Sequence, residues 1–274
     1  VLENTIEKTR ALVLERLGVY LAGHKSALIE NRMSRLKTKL GFDGSIEELV
    51  YTIEKGAFSE EFVSAFTTNQ TAFFREPAQF EDFKNRFLPE AFAKKAPITV
   101  LCAGCSSGEE AYSMGMCFFE AKKEARAAES LKITAVDIDG ERLSIAKNGV
   151  YPQPLRNPFP LFVKEGLFFD TLEDKGVKKI SFKPEIKELV SFERHNLASK
   201  KENFKNSFFD AVFCRNTLIY FDKPMQEMIL SKLLHSLKNG GTLYLGHSEN
   251  PLSLITQLQK KGHNIYIKKP RDEI

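Results

Sequence analysis

Over the first 66 residues apolar positions recur every three or four places, the spacing of one helix face. The stretch "IEKTRALVLERLGVYL" predicts a first helix, and "HKSALIENRMSRLKTKLGF" a second that stops at Gly41. "SIEELVYTIEKG" predicts a third. Ser45 is its N-cap and Glu48 follows three places on, a capping box. "SEEFVSAFTTN" supplies a fourth. No strand-like alternation interrupts them, so residues 1–66 are expected to form an all-helical N-terminal domain. Residues 67–97 read as a connector: polar turn-formers, the pair Phe73-Phe74, an amphipathic helix, and Pro97 at its close.

From Ile98 the pattern changes to short apolar runs alternating with helical spacing. "ITVLC", "LKITAVDID", "ELVSFERHN", "FDAVFC", "TLYLG" and "HNIYIKKP" predict strands. "GEEAYSMGMCFFEAKKEA", "GERLSIAKNGV" and "KPMQEMILSKLLHSLKNGG" predict helices, the last ended by its glycines. Residues 152–188 break the alternation. Pro152, Pro154, Pro158 and Pro160 crowd the start and β-like runs flank Gly176, so a small inserted β lobe is expected. Strands alternating with helices imply a mostly parallel sheet covered on both faces. Right-handed crossovers make residues 98–274 an α/β, doubly wound, Rossmann-like domain.

Composition narrows the chemistry. A hydrophobic share of 42% is ample for a large core. No apolar run approaches the roughly 18 residues that span a bilayer. The N-terminal stretch is charged and helical rather than signal-like, so the expected location is the cytoplasm, without membrane insertion. A net charge of +4 is too mild to point to nucleic acid. Of the four cysteines, Cys102 and Cys105 form a C-x-x-C that lacks a second ligand pair. Cys117 lies in an apolar run and Cys214 ends "FDAVFC". All four read as small core residues, and no metal site is expected.

The loop "AGCSSGEE" after the first strand stands where open α/β sheets bind ligands. Gly104 allows a tight turn or a close approach to a ligand. A phosphate loop would end in Gly-Lys-Ser/Thr. This one ends in Gly108-Glu109-Glu110, which stabilises the helix dipole and repels phosphate. It suits a ligand with an adenosine or a cationic part and no phosphate, such as S-adenosylmethionine. The second strand ends "VDID". Asp137 is the candidate acceptor for both ribose hydroxyls, and Asp139 the cap of the next helix.

"TTNQTAFFRE", "AGCSSGEEAYS", "AVDIDGERLSIAKNGVY", "FDAVFCRNTLIYFD" and "LKNGGTLYLGHSE", in that order from Thr67 to Glu249, resemble the CheR family of chemotaxis receptor methyltransferases. The resemblance implies a class I methyltransferase that moves the methyl of S-adenosylmethionine to glutamates of chemoreceptor cytoplasmic helices, releasing S-adenosylhomocysteine. It implies cofactor contacts from Asn69, Thr71, Arg75, Ala103, Gly104, Glu110, Asp137, Asn196, Leu197, Arg215 and Asn216. Glu110 is the match for the cofactor ammonium. Tyr220 is implied to face the reacting centre, and in-line transfer to a carboxylate suits Arg75 and Tyr220 as the residues that hold it. The implied partner is a methyl-accepting chemoreceptor, with recruitment to membrane receptor clusters and a monomeric enzyme. Ala111 stands where many members carry proline, and the lobe is short between Phe169 and Val177.

Receptor methylation regions are acidic helical bundles, and the second helix carries Lys25, Arg32, Arg35, Lys37 and Lys39. Arg32, Arg35 and Lys39 at spacings of three and four are expected to face that substrate. His247 is expected at a strand end or the cofactor rim. Two other readings remain: a methyltransferase of this fold acting on another acidic protein or a small molecule, and a non-catalytic adaptor that keeps the pocket. A nucleic-acid methyltransferase is disfavoured, since "NTLI" at Asn216 replaces the Asn/Asp-Pro-Pro-aromatic tetrapeptide.

Overall fold

The structure is a computed structural model, and it describes residues 2–153, 158–201 and 204–270. Pro154, one of the prolines expected at the start of the lobe, lies outside them. Four helices come first: α1 (Leu2–Leu17), α2 (Ser26–Leu40), α3 (Ile46–Glu54) and α4 (Ser59–Phe66). The capping box forms as expected. Ser45 accepts from the Glu48 N–H at 3.1 Å, and Glu48 accepts from the Ser45 N–H at 2.6 Å. Their apolar faces enclose a core of their own, built on Val13, Ile29, Met33, Leu49, Ile53 and Phe62.

The connector helix is continuous but not uniform. α5 (Pro77–Asp82) runs through a π-helical turn, Phe83–Phe87, into α6 (Leu88–Phe92). Beyond it lie β1 (Ile98–Ala103), α7 (Glu109–Ala125), β2 (Leu131–Asp137), α8 (Gly140–Asn148), β3 (Val150–Pro152), β4 (Phe169–Asp174), β5 (Val177–Phe182), α9 (Pro184–Lys187), β6 (Val190–Arg194), β7 (Phe209–Cys214), α10 (Lys223–Ser236), β8 (Leu237–Leu245), β9 (Leu258–Gly262) and β10 (Ile265–Lys268). Seven strands form one sheet in the order β6-β2-β1-β7-β8-β10-β9. All pairings are parallel except those of β10 with β8 and β9. The chain winds outward from β1 through β2 and β6, then returns to wind the other way from β7. The switch therefore lies between β1 and β7, the place where ligands enter such sheets.

β3, β4 and β5 form the separate inserted sheet. It begins at Val150, two residues earlier than expected. The short segment between Phe169 and Val177 is no truncated loop. It is one strand of a full hairpin, and Lys175 (φ 51°) and Gly176 (φ 77°) make its two-residue turn. Aromatic rings join the lobe to α7 and to the connector: Phe182 stacks on Tyr112 at 4.5 Å, and Phe73 meets Tyr151 edge-on at 5.0 Å.

Two strand assignments are corrected. α10 ends at Ser236, before the glycines, and "LKNGG" already belongs to β8. Leu237 pairs with Phe209 and Thr242 with Ala211, so Gly240 and Gly241 fall in a bulge that absorbs the extra residues. β9 went unseen because Leu258 is its one buried residue; the rest of the strand carries polar side chains and Gly262 at the sheet edge. No helix among the described residues is long and apolar enough to cross a membrane.

Candidate functional site

A cavity of about 550 Å³ opens at the switch point. Its walls come from the carboxyl ends of β1, β2, β6 and β7, from the connector, and from α2 with the loop before it. Of the residues singled out from sequence, Asn69, Thr71, Arg75, Gly104, Glu110, Asp137, Asn196, Leu197, Arg215, Asn216, Tyr220 and Arg32 line it. Ala103, Arg35 and Lys39 do not. Ala103 is fully buried behind the loop, its carbonyl 3.5 Å from Thr217 Oγ1.

The loop after β1 is shaped by a close approach. Gly104 sits at φ 81°, and a Cβ built on it would lie 2.3 Å from Thr217 Oγ1. Gly104→Ala is therefore expected to cost about 2 kcal/mol in urea unfolding, the scale for a non-glycine residue in this region. A change under about 0.5 kcal/mol, the level of a neutral surface substitution, would contradict the constraint. Ser106 follows at φ 49°, and its Oγ is buried without a protein partner among the described residues. The four cysteines are all buried and free. Burial raises the Cys102 and Cys105 thiols well above their ordinary range, so neither is a ready nucleophile.

Asp137 ends β2 with its carboxylate anchored: Oδ2 accepts from the Ser106 N–H at 2.7 Å and Oδ1 from the Asp139 N–H at 3.0 Å. Burial pushes it above the ordinary carboxylate range, against the pull of those two N–H groups. Asp139 caps α8 through the Glu141 and Arg142 N–H groups, as expected. Its other oxygen accepts from Thr67 Oγ1 and Asn69 Nδ2, both at 2.8 Å. Asn69 thus holds the connector to the acid loop.

The two acids opening α7 separate. Glu110 faces the cavity, while Glu109 does not line it and accepts from Ser107 Oγ at 2.7 Å. Glu110 accepts from Arg215 at 2.7 Å, and Arg215 also pairs with Glu76 at 3.1 Å. The Arg215 side chain is 1% exposed, against 14% for Glu110 and 11% for Glu76. Glu76 further accepts from Asn216 Nδ2 at 3.1 Å. Burial pushes Glu76 up, but Arg215 and Asn216 outweigh it and hold the carboxyl below its ordinary range. Arg75 does not pair with Glu76; it donates to the Gln70 carbonyl at 2.8 Å. His247 is half-exposed, 3.7 Å from Glu76, at the rim of this network.

Asn196 is spoken for by the fold. It donates to the Arg16 carbonyl and accepts from the Ala198 N–H, both at 2.9 Å, tying the end of β6 to the end of α1. The three basic residues of α2 do not act as one ridge. Arg32 turns into the cavity wall, donating to the Thr67 carbonyl and to Thr68 Oγ1 beneath the Phe66 ring. Arg35 is exposed. Lys39 is engaged with Glu141 at the start of α8. Glu76 and Glu249 are functional candidates that sequence reasoning missed, although "FFRE" and "GHSE" contain them; only their long-range contacts mark them out.

Residues 69–267 match the family model described as CheR methyltransferase, SAM binding domain. Over 258 residues the chain is 34% identical to the chemotaxis protein methyltransferase of Salmonella typhimurium, covering 93% of this chain and 86% of that one. It is 34% identical over 247 residues to the chemotaxis protein methyltransferase of Borreliella burgdorferi, covering 87% and 85%. It is 34% identical over 255 residues to the chemotaxis protein methyltransferase Cher2 of Pseudomonas putida, covering 89% of each.

Proposed function

Because the chain belongs to the CheR family of methyltransferases, we propose that it methylates glutamate side chains on the cytoplasmic helices of methyl-accepting chemoreceptors. S-adenosylmethionine is its methyl donor. The enzyme acts in the cytoplasm as a monomer, beside membrane receptor clusters, and takes no nucleic acid.

One observation carries this reading. A single cavity is lined by two acids from strand and helix ends, Glu110 and Asp137, and by cations from α2 and the connector, Arg32 and Arg75. The acids suit a cationic cofactor and the cations suit a carboxylate substrate. The fit to the cofactor is chemical as well. Glu110 would face the ammonium, Asp137 would offer its remaining lone pairs to the ribose diol, and Ser106 Oγ, buried without a partner among the described residues, would gain a hydrogen bond. Phosphate ligands would meet Glu110 instead of a lysine.

When bound, S-adenosylmethionine supplies a methyl group on a positively charged sulfur. A glutamate carboxylate is already ionised at neutral pH, so this chain needs no general base. Its own residues position and desolvate. Arg75 and Tyr220 hold the substrate carboxylate in line, and the loops around the cavity exclude water. Arg215 and Asn216 support that wall, with Thr71 and Leu197 completing the cofactor side. Arg32 and Arg35 meet the acidic receptor helix; Lys39 instead braces α2 against α8.

The test is transfer of labelled methyl from S-adenosylmethionine to a panel of receptor cytoplasmic fragments. Base-labile label on glutamates supports the reading. Tight cofactor binding without transfer to any fragment overturns it.

A further inference from the structure

After β8 the chain reads Gly246-His247-Ser248-Glu249. Glu249 is 5% exposed, and among the described residues no cationic side chain pairs with it. Its carboxylate instead accepts from four backbone N–H groups: Gly246 at 2.7 Å, Asn216 at 2.9 Å, Thr217 at 2.8 Å and Leu218 at 2.6 Å. Three of these donors are consecutive residues of the turn that leaves β7. The turn starts from Asn216 in the left-handed region, at φ 54°. Glu76 holds the Asn216 side chain, and Glu249 holds the backbone.

The approach is close enough to demand its neighbours. A Cβ on Gly246 would lie 2.6 Å from the Asn216 nitrogen and 2.8 Å from its Nδ2. Asn264 Nδ2 donates to the Gly246 and Glu249 carbonyls, fixing the clamp from behind. The clamped turn runs directly into the short helix Leu218–Tyr220, which brings Ile219 and Tyr220 to the cavity.

We infer that Glu249 is a positioning residue for methyl transfer: its carboxylate fixes the Asn216–Leu218 turn and, through it, where Tyr220 stands against the substrate. All four contacts arrive as donors, and only a carboxylate offers acceptor sites on both oxygens. Glutamine of the same shape turns an N–H₂ toward some of those donors and leaves them buried without partners. The link to catalysis rests on the methyl-transfer reading; the link to the turn does not.

The chain has no tryptophan, so Tyr220→Trp places a single emission reporter at the end of the turn. Adding Glu249→Gln to that variant is expected to shift its emission by several nanometres and to weaken its response to S-adenosylhomocysteine. In the Tyr220 background, Glu249→Gln is expected to lower kcat on receptor fragments about tenfold or more, with KM for the cofactor within about threefold. Gly246→Ala presses on the same turn and should give the same split. Unchanged emission with kcat within about twofold overturns the inference. So does a parallel loss of kcat, cofactor affinity and Tm, or failure of both variants to fold, which would make the clamp a fold element only. If the unaltered chain transfers no methyl, the functional reading fails, and the emission comparison alone decides the positioning.

Discussion

Replacing Asp137 by Ala is expected to weaken S-adenosylhomocysteine binding about 100-fold, from the loss of two charge-assisted hydrogen bonds at roughly 1.5–3 kcal/mol each, part of it recovered by water. The Ser106 and Asp139 N–H groups also lose their acceptor, which loosens the loop that faces the ligand. Asp137→Asn should fall between, since an amide keeps one acceptor oxygen. The pH dependence follows from the sign of the shift. Burial raises the Asp137 carboxyl above its ordinary range, and the ionised form is the one that accepts ribose hydroxyls. Affinity should therefore decline as pH falls through that raised value, before ordinary carboxylates titrate. Asp137→Ala should flatten this decline. The stability of the ligand-free protein runs the other way: a raised carboxyl contributes stability at low pH that is lost as pH rises through it. Calorimetric titration across the weakly acidic range separates the two. Equal affinity for Asp137→Ala, or an unchanged pH slope, would remove Asp137 from the ribose site.

Much of this site was legible because its parts are local. The buried run of β1, the glycine loop and the acid ending β2 are contiguous in sequence, so period and turn chemistry place them. The capping box at Ser45 and the cap at Asp139 are equally local. What escaped depends on contacts over long sequence distances. Glu76 meets Asn216 only because the connector returns across the switch point, and Glu249 meets the same turn from beyond β8. No spacing rule sees either. Glu109 and Glu110 are adjacent, yet helix geometry sends them to different neighbours. Lys39 shares a helical face with Arg35, but α8 supplies a carboxylate to one and not the other. Asn196 lines the cavity, but its side-chain amide is committed to backbone groups that no spacing rule brings near it.

Arg215→Met is expected to cost about 3–5 kcal/mol of stability, the range for removing one member of a buried charge network. In a chain of this size that is a fall in Tm of about 10 °C. The arginine is buried, bridges Glu76 and Glu110, donates to the Arg75 carbonyl, and lies over the Phe80 ring at 5.2 Å. Lysine cannot replace it, because a single ammonium does not present the planar fork that reaches both acids. The cause is testable through pH. In the intact protein Glu76 is held below its ordinary range, so its contribution is present at neutral pH and lost as pH falls through that depressed value. Without the guanidinium only burial, Asn216 and the half-exposed His247 act on Glu76, and burial then favours the protonated form. The variant should therefore recover relative to the intact protein on acidification, and the stability gap should be widest near neutrality. Adding Glu76→Gln to Arg215→Met should recover part of the loss at neutral pH for the same reason. Urea unfolding at several pH values compares the intact protein with both variants. A gap that stays constant with pH, or no recovery from Glu76→Gln, would mean that Arg215 acts through packing on Phe80 rather than through its charge.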